Sequence, residues 1–569
     1  MEDHSNLLYS PEMKTSDYAN VAAILLFCLL VIYLPILIAG FPYGSDQRQH
    51  LRFSIAVSEA LSEGSITPNW TDDNSGFGEI GIRFYPPFAY VTTAAFHFAV
   101  GNWYDAFTLN LIFWMFIGCL GMYLFCREWS GPFPAVAAAL MFAIVPYHLT
   151  QIYQYFLYAE FAAFSMVPFC FLFLTRVLRG GSWTDVFWLA ASYSILVLTH
   201  IPLTLICTIC MVQYALVVMD WGRAKVVISQ LLVAAGLAVP LTAFRLIILL
   251  RESSWLAHNS DTFTRDHYSF SSWLFPNVLF PRRMLIMEQV SWLFDVTIIL
   301  TGMLAIPAII LVVLQLRSKK SANFHVVAGI VISAAFSFFM LSRLSYLVWE
   351  AFGFLQKIQF PWRWLSPLSF FAVAGFSLGV SGLIAKSKRW ARPLAYSGGI
   401  LIFAIVLYDI TQSIVTAGGQ TREQFAQMVA EVHEDRDADY WWPIWAKRAS
   451  FEQTERVSTS SRPYTVQRWD REIREFLIEP GPAQEVRVAI FYYPYWDITL
   501  NGIPSQTRPD PNGTILIAVP ADSTRVILQF NEPPFYNAAK WLSRVSWIFL
   551  ITLLLGLYIS RSRVIKTLT

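Results

Sequence analysis

Asp46 lies a few residues past the first long apolar run, in Gly44-Ser45-Asp46-Gln47-Arg48-Gln49-His50. A carboxylate so close to a membrane surface can act as general base on an acceptor hydroxyl or ligate a divalent cation. Local sequence alone fits a helix N-cap equally well. Glu160 opens another apolar run, just after Tyr147-His148, Gln151, Gln154 and Tyr158. An acid at that depth either pairs with a cation or serves function. Arg363, in Gln359-Phe360-Pro361-Trp362-Arg363, stands where a further helix enters the bilayer. A guanidinium there suits a phosphate near the headgroup plane, and the helix start adds free N–H groups. Arg343 shares its loop. His50, His148 and His200 are, with Glu160, candidates to position an acceptor or a cation. Arg245, Arg251, Arg265 and His267 are further basic candidates.

The elements that position these residues are set by composition. Of 569 residues, 56% are hydrophobic and 14% charged, with 45 Phe, 25 Tyr and 21 Trp. Average soluble domains carry about 25% charged residues. A soluble fold cannot hide so much apolar surface, which excludes a soluble enzyme and a disordered chain. The net charge of +2 offers no field for nucleic acid. The six cysteines lie in apolar runs, so no disulfide framework is expected in the polar segments. Apolar runs of spanning length lie near 19–39, 106–126, 134–147, 160–178, 184–199, 201–219, 226–248, 291–316, 324–342, 364–385, 393–412 and 539–560. The first lacks a cleavage site and reads as an uncleaved helix. Basic clusters at Arg176/Arg179, Arg223/Lys225, Arg317/Lys319/Lys320, Lys386/Lys388/Arg389/Arg392 and Arg561/Arg563/Lys566 recur every two spans, which puts them all on the cytoplasmic side. With a cytoplasmic N-terminus, parity makes the run at 84–101 interfacial or re-entrant on the outer side. An outside N-terminus would make it a true span.

The expected fold is therefore mainly α, a polytopic membrane protein of about twelve transmembrane helices, with a small extracytoplasmic β-sandwich-like domain. The chain divides into a cytoplasmic tail (1–18), a transmembrane module (19–412, first outer loop 40–105), an extracytoplasmic α+β domain (413–538) and a last helix with a basic tail (539–569). Residues 421–434 read as helix. Strand-like runs follow at 464–468, 472–478, 486–493, 497–500, 514–519 and 525–530, with hairpin turns at Asn501-Gly502 and Asn512-Gly513. Gly76-Phe77-Gly78-Glu79-Ile80-Gly81 matches a dinucleotide fingerprint, but no strand precedes it. Everything polar and unusual gathers on the outer face.

Four signatures occur in order: the Gly44-to-His50 loop, Phe84-Tyr85-Pro86-Pro87-Phe88-Ala89-Tyr90, Gln359-Phe360-Pro361-Trp362-Arg363, and Tyr492-Tyr493-Pro494-Tyr495-Trp496 with Asn501-Gly502. Together they resemble the bacterial membrane proteins labelled 6-pyruvoyl-tetrahydropterin synthase related and the YfhO-like family, which look like C-type glycosyltransferases (GT-C). The resemblance implies an enzyme of the inner (plasma) membrane that moves a sugar from a polyprenyl-phosphate donor to a glycan, lipid or protein acceptor on the outer face. Membrane lipid is then a partner and nucleic acid is not. It makes Asp46 the catalytic acid of the first loop and Arg363, with Arg343, the donor-phosphate contact. Gln47 follows Asp46 where such sites carry a second acid, so both a metal-free site and a divalent cation (Mg or Mn) at Asp46 stay open. The label's pterin chemistry, a zinc enzyme with three histidines, finds no counterpart in the sequence. Two other functions fit the same chain: a non-catalytic cell-envelope assembly factor on a GT-C-like scaffold, and a lipid-linked glycan transporter or flippase. The second would place charges at mid-membrane depth, whereas those here concentrate at span ends.

Overall fold

The computed structural model describes residues 15–259, 270–276, 293–306, 309, 324–384, 404, 406–415, 418–436 and 439–568. Eight helical segments in it are long and apolar enough to cross a membrane. They contain α1 (Thr15–Ala39), α4 (Trp103–Arg127), α5 with α6 (Pro132–Ala143, Pro146–Tyr153), α7 with α8 (Tyr158–Phe164, Val167–Leu178), α10 (Ile201–Val218), α11 (Ala224–Glu252), α13 (Phe324–Leu341) and α16 (Pro534–Leu568). Shorter apolar helices are α3 (Phe88–Val100), α9 (Trp183–Val197) and α12 (Leu293–Ile306). The helix α14 (Leu365–Ile384) is also apolar along its length. Most of the expected span at 393–412 lies outside the described residues, as do Arg265, His267 and two of the basic clusters. The chain is thus a multi-pass membrane protein, mostly helical.

Two expected spans are divided. The run at 134–147 breaks at Ile144-Val145, before Pro146, and the run at 160–178 breaks at Ser165-Met166, before Pro168. Proline lacks an N–H and its ring crowds the preceding turn, so each new helix begins where a proline stands at its start. Non-helical backbone at such depth needs protein around it. Both breaks have it: Val145, Tyr147, Phe164 and Val167 are buried. The 13 residues of α3 reach about 20 Å, too short for a hydrocarbon core of about 30 Å. This helix packs on α4 and on α2 (Gln47–Ser62).

Among the described residues, the polar C-terminal block holds α15 (Arg422–Glu431) and nine strands. One sheet has the order β1-β4-β8-β7, with β1 Val457–Ser458, β4 Gln484–Phe491, β7 Arg508–Pro509 and β8 Thr514–Val519. The other runs β2-β3-β9-β5-β6, with β2 Tyr464–Asp470, β3 Ile473–Ile478, β5 Trp496–Leu500, β6 Ile503–Ser505 and β9 Thr524–Phe530. All pairings are antiparallel. Buried and open residues alternate along β9, as one covered face demands. The β5–β6 hairpin pairs Leu500 with Ile503 across Asn501-Gly502, both at positive φ, the two-residue turn that their side chains favour.

This block does not keep its core to itself. Trp70, Phe77, Ile80 and Phe84, from the loop after α1, are buried with Val486, Phe491, Tyr493, Trp496 and Phe530. Every residue from Val486 to Phe491 is buried, because Phe77 packs against Phe491 and its carbonyl accepts the Phe491 N–H at 2.8 Å. The loop after α1 therefore shares its packing with the C-terminal block.

One ion cluster joins the parts. Arg83 is fully buried and grips Glu252, at the end of α11, with two bonds of 2.7 Å. It also bonds Asn69 at 2.8 Å and Glu532, just before α16, at 2.5 Å. Tyr493 donates to Glu252, and Lys540 bonds Glu532. Removing one member of a buried pair strands the other charge. Glu252→Gln is expected to cost about 3–5 kcal/mol, read as a lowered melting temperature of the protein in lipid nanodiscs.

Candidate functional site

Asp46 occupies the N-cap position of α2, yet its carboxylate accepts no backbone N–H there. It takes the Ser45 hydroxyl at 3.0 Å. Its backbone N–H bonds the carbonyl of Tyr155 at 3.3 Å, which docks the first loop on the turn between α6 and α7. Gly44 allows this approach, since a Cβ there would stand 2.5 Å from the Tyr155 carbonyl carbon. Burial raises the Asp46 carboxyl from 3.8 to about 6, against the opposing pull of Ser45 and the Arg363 charge. Asp46 is half-buried. Part-exposed Tyr155 adjoins it through that backbone bond, and part-exposed Tyr85 and Arg363 through their charge, which leaves a part-open recess between them.

Arg363 faces that recess from the short helical turn Pro361–Trp364, which leads into α14. Its Nε donates to Glu160 Oε2 at 3.1 Å and its Nη1 to the Ile358 carbonyl at 2.6 Å. Gln359 adopts φ +70°, which turns the chain so that this carbonyl meets the guanidinium. Phe360 covers the guanidinium, its ring centre 5.1 Å away. Among the described residues, Nη2 has no partner and remains for a ligand. Glu160 is completed by the Tyr147 hydroxyl at 2.5 Å and the Gln151 amide at 3.4 Å. Tyr147 and Gln151 are four residues apart on α6, so both point to one spot. Glu160 is thus the partner that orients Arg363.

The histidines divide. His50 shares a 2.8 Å hydrogen bond with Tyr90, and burial lowers it to about 3, so it is neutral at physiological pH. His200 caps α10, its Nδ1 accepting the Leu203 N–H at 3.2 Å. Burial, then Arg363 and His50, lower it well below its ordinary value. Both line the site as neutral groups. His148 donates to the Phe142 carbonyl at 2.6 Å inside a cage of Phe142, Phe161 and Phe164. These contacts tie it to packing. Arg343 reaches the Pro276 carbonyl at 3.2 Å, Arg245 the carbonyls of Ile82 and Arg83, and Arg251 covers Phe535. None of those contacts is with Asp46 or Glu160.

Tyr85, from the Phe84-Tyr85-Pro86-Pro87 motif, and Trp441 adjoin these groups. Tyr85 is raised by burial and senses Arg363, Asp46 and Glu160. Trp441, from the outer block, packs on Tyr85 and stacks on His258 at 5.2 Å. Asp295 is buried at the start of α12, beside Phe294, which stacks on Trp362. Among the described residues, no three His, Cys, Asp or Glu side chains group closely enough to hold a metal ion.

Residues 82–416 match the family described as 6-pyruvoyl-tetrahydropterin synthase related domain; membrane protein. The chain belongs to this family. No curated protein matches it. Among solved structures it is similar to the oligosaccharyltransferase of Archaeoglobus fulgidus tethered with an acceptor peptide, at 12% identity and a TM-score of 0.44, over 74% of this chain and 59% of that one. It is also similar to the arabinofuranosyltransferase AftD from Mycobacteria, at 15% and 0.40, over 70% and 26%. A third is ArnT from Cupriavidus metallidurans bound to undecaprenyl phosphate, at 12% and 0.29, over 65% and 79%. The chain thus spans little more than half of the oligosaccharyltransferase and a quarter of AftD. Likenesses at such scores transfer no function, and the chemistry must come from the site.

A raised carboxyl opposes folding once it ionises. The native state holds the Asp46 proton up to about 6 and the unfolded chain releases it near 3.8, so stability falls as pH rises through that window. Asp46→Asn is expected to raise the melting temperature well above pH 6, with the gain gone near 3.8. Thermal unfolding of both proteins across this range checks it.

Proposed function

We propose that this protein transfers a sugar from a polyprenyl-phosphate donor to an acceptor hydroxyl on the outer face of a bacterial inner membrane. The reading is carried by a part-exposed carboxyl that burial raises to about 6 and, within its electrostatic reach, a guanidinium with an N–H to spare. Asp46 takes the acceptor's proton as the acceptor oxygen attacks the anomeric carbon. The bond from that carbon to the phosphate oxygen breaks on the opposite side, which inverts the centre. The bonding pair leaves with the lipid phosphate, whose charge Arg363 meets through Nη2. A phosphate leaves without an acid catalyst, so a fixed cation is enough. A base that ionises near 6 is mostly deprotonated at neutral pH yet still basic enough to accept a proton.

Glu160 holds the guanidinium in register, with Tyr147 and Gln151 behind it. The rest of the recess comes from Tyr85 and from neutral His50 and His200, which add no charge to compete with Arg363. A divalent cation is not needed for this step. Asp46 is the residue that would ligate one.

Transfer from radiolabelled polyprenyl-phosphate sugars, with the protein in nanodiscs, tests the reading. Asp46→Asn is expected to lower kcat about a thousandfold, and Arg363→Met about a hundredfold. Full activity of Asp46→Asn would remove the base from the mechanism. The wild-type rate is expected to fall below pH 6 with a single proton taken up, because only ionised Asp46 can accept the acceptor's proton.

A further inference from the structure

The helices α11 and α16 are joined in a way that the glycosyl-transfer reading does not use. The Ser543 hydroxyl accepts the Phe244 N–H at 3.2 Å and donates to the Pro240 carbonyl at 2.8 Å, so it stands in one rung of the α11 ladder. One turn on, the Trp547 indole donates to the Leu241 carbonyl at 3.0 Å. Pro240 lies inside α11 and brings no N–H of its own. A proline and a side chain inserted in the ladder each open a helix wall. A cavity of about 200 Å³ lies at this place, lined by Leu237, Pro240 and Leu241 of α11 and by Val545, Ser546 and Phe549 of α16. The Ser543 and Trp547 bonds fix the spacing of the two helices, so the gap is built into their packing.

The cavity opens towards lipid. Val545 and Phe549 are 58% and 60% exposed, and α16 carries the least buried apolar stretch of the eight spanning segments. An apolar void stays dry, and its lining lacks the contacts that a filled site would have. An apolar chain is what completes it.

Two stripes lead from the cavity to the membrane surface. Pro240, Phe244, Ile247 and Arg251 follow at helical spacing on one face of α11, and Phe549, Val545, Leu542, Ala538 and Phe535 on one face of α16. At the top the stripes meet, where the Arg251 guanidinium covers the Phe535 ring at 5.2 Å. Arg251 is exposed, and among the described residues its guanidinium has no hydrogen bond or ion pair. The nearby carboxylates Glu252 and Glu532 are taken by Arg83 and Lys540. Leu241 lies ten residues before Arg251, about 15 Å along the helix. That is half of a hydrocarbon core of about 30 Å, the depth of one leaflet.

An unmet cation at the surface, one leaflet above an apolar cavity, has the dimensions of a phospholipid. We propose that α11 and α16 bind an anionic phospholipid of the leaflet on the side of the C-terminal block. Its phosphate pairs with Arg251, and one acyl chain runs between the two stripes into the cavity. None of these residues belongs to the Asp46 recess, so the site stands or falls apart from the glycosyl-transfer reading.

Native mass spectrometry of the full chain in detergent, titrated with single lipids, tests it. The first phosphatidylglycerol with palmitoyl-oleoyl chains is expected to bind about fivefold tighter than phosphatidylcholine with the same chains. Arg251→Gln is expected to remove that preference, and Arg251→Lys to keep most of it. Ser546→Phe, which fills the cavity, is expected to weaken both lipids to the level of non-saturable uptake. Val545→Phe serves the same purpose should that variant fail to fold. Dioctanoyl phosphatidylglycerol, whose chains stop short of the cavity, is expected to be indifferent to Ser546→Phe. Equal binding of the two headgroups, or a preference that survives Arg251→Gln, would remove the phosphate contact and overturn the site. Tight binding that survives both cavity-filling variants overturns it as well. So does displacement of phosphatidylglycerol by equimolar decaprenyl phosphate, which would make the groove a seat for a polyprenyl chain instead.

Discussion

The guanidinium of Arg83 ties four parts of the molecule together. It sits where the loop after α1, the end of α11, the start of α16 and the β-block come within one side chain's reach. Two carboxylates, Glu252 and Glu532, face two cations, Arg83 and Lys540, so the cluster is neutral as a whole. Tyr495, Phe530 and Tyr536 place their rings around the guanidinium at 5.0–5.8 Å and keep water away. In such surroundings a missing partner leaves a bare charge, whereas a complete set fixes four chain segments in one geometry. Tyr85 is two residues beyond Arg83 and lines the recess. The position of the site's roof is thus inherited from an ion cluster that takes no part in the chemistry.

The site uses charge in a different way. Arg363 is already paired with Glu160, so the recess does not attract anions by bulk field. It offers a directed N–H from a cation held in place on three sides. Asp46, by contrast, is kept out of strong pairing. Ser45 and the Arg363 charge only partly offset its burial, and the carboxyl stays basic. In the proposed reaction one acid holds a neighbour and the other accepts a proton, and the environments separate the two roles. A second cluster on α2 follows the first pattern: Arg52 meets Glu79, Asp73 and Asp435 and anchors the loop to the segment after α15.

Much of this was legible in the residues, for identifiable reasons. Asp46 and Arg363 stand out because a charge at the end of an apolar run is rare and has few uses. The longer strands announce themselves by alternation, and Asn501-Gly502 by its turn chemistry. Membership of the pterin-synthase-related membrane family was legible from four short motifs in order. Other features carry no local signal. Arg83 meets Glu252 169 positions away and Glu532 449 positions away. The short strands β1, β6 and β7 have too few residues to show a period. That His148 packs among Phe142, Phe161 and Phe164, and that His200 caps α10, is a matter of neighbours that the local sequence does not carry. The divided spans at 144–145 and 165–166 read as continuous because apolar residues continue across each break.

Trp70, Phe77, Ile80 and Phe84 have a consequence for how the molecule comes into being. They are made early, on the loop behind the first helix, but the strands that bury them are encoded about four hundred residues later, as the Asn69–Glu472 bond illustrates. At synthesis rates of about 5–20 residues per second, the loop waits roughly 20–80 s with four large apolar side chains uncovered. Throughout that interval Asp46 stands beside helices already made but without its roof. The recess therefore closes only when the last strands arrive, and a chain halted before them presents the carboxylate with no enclosed site around it.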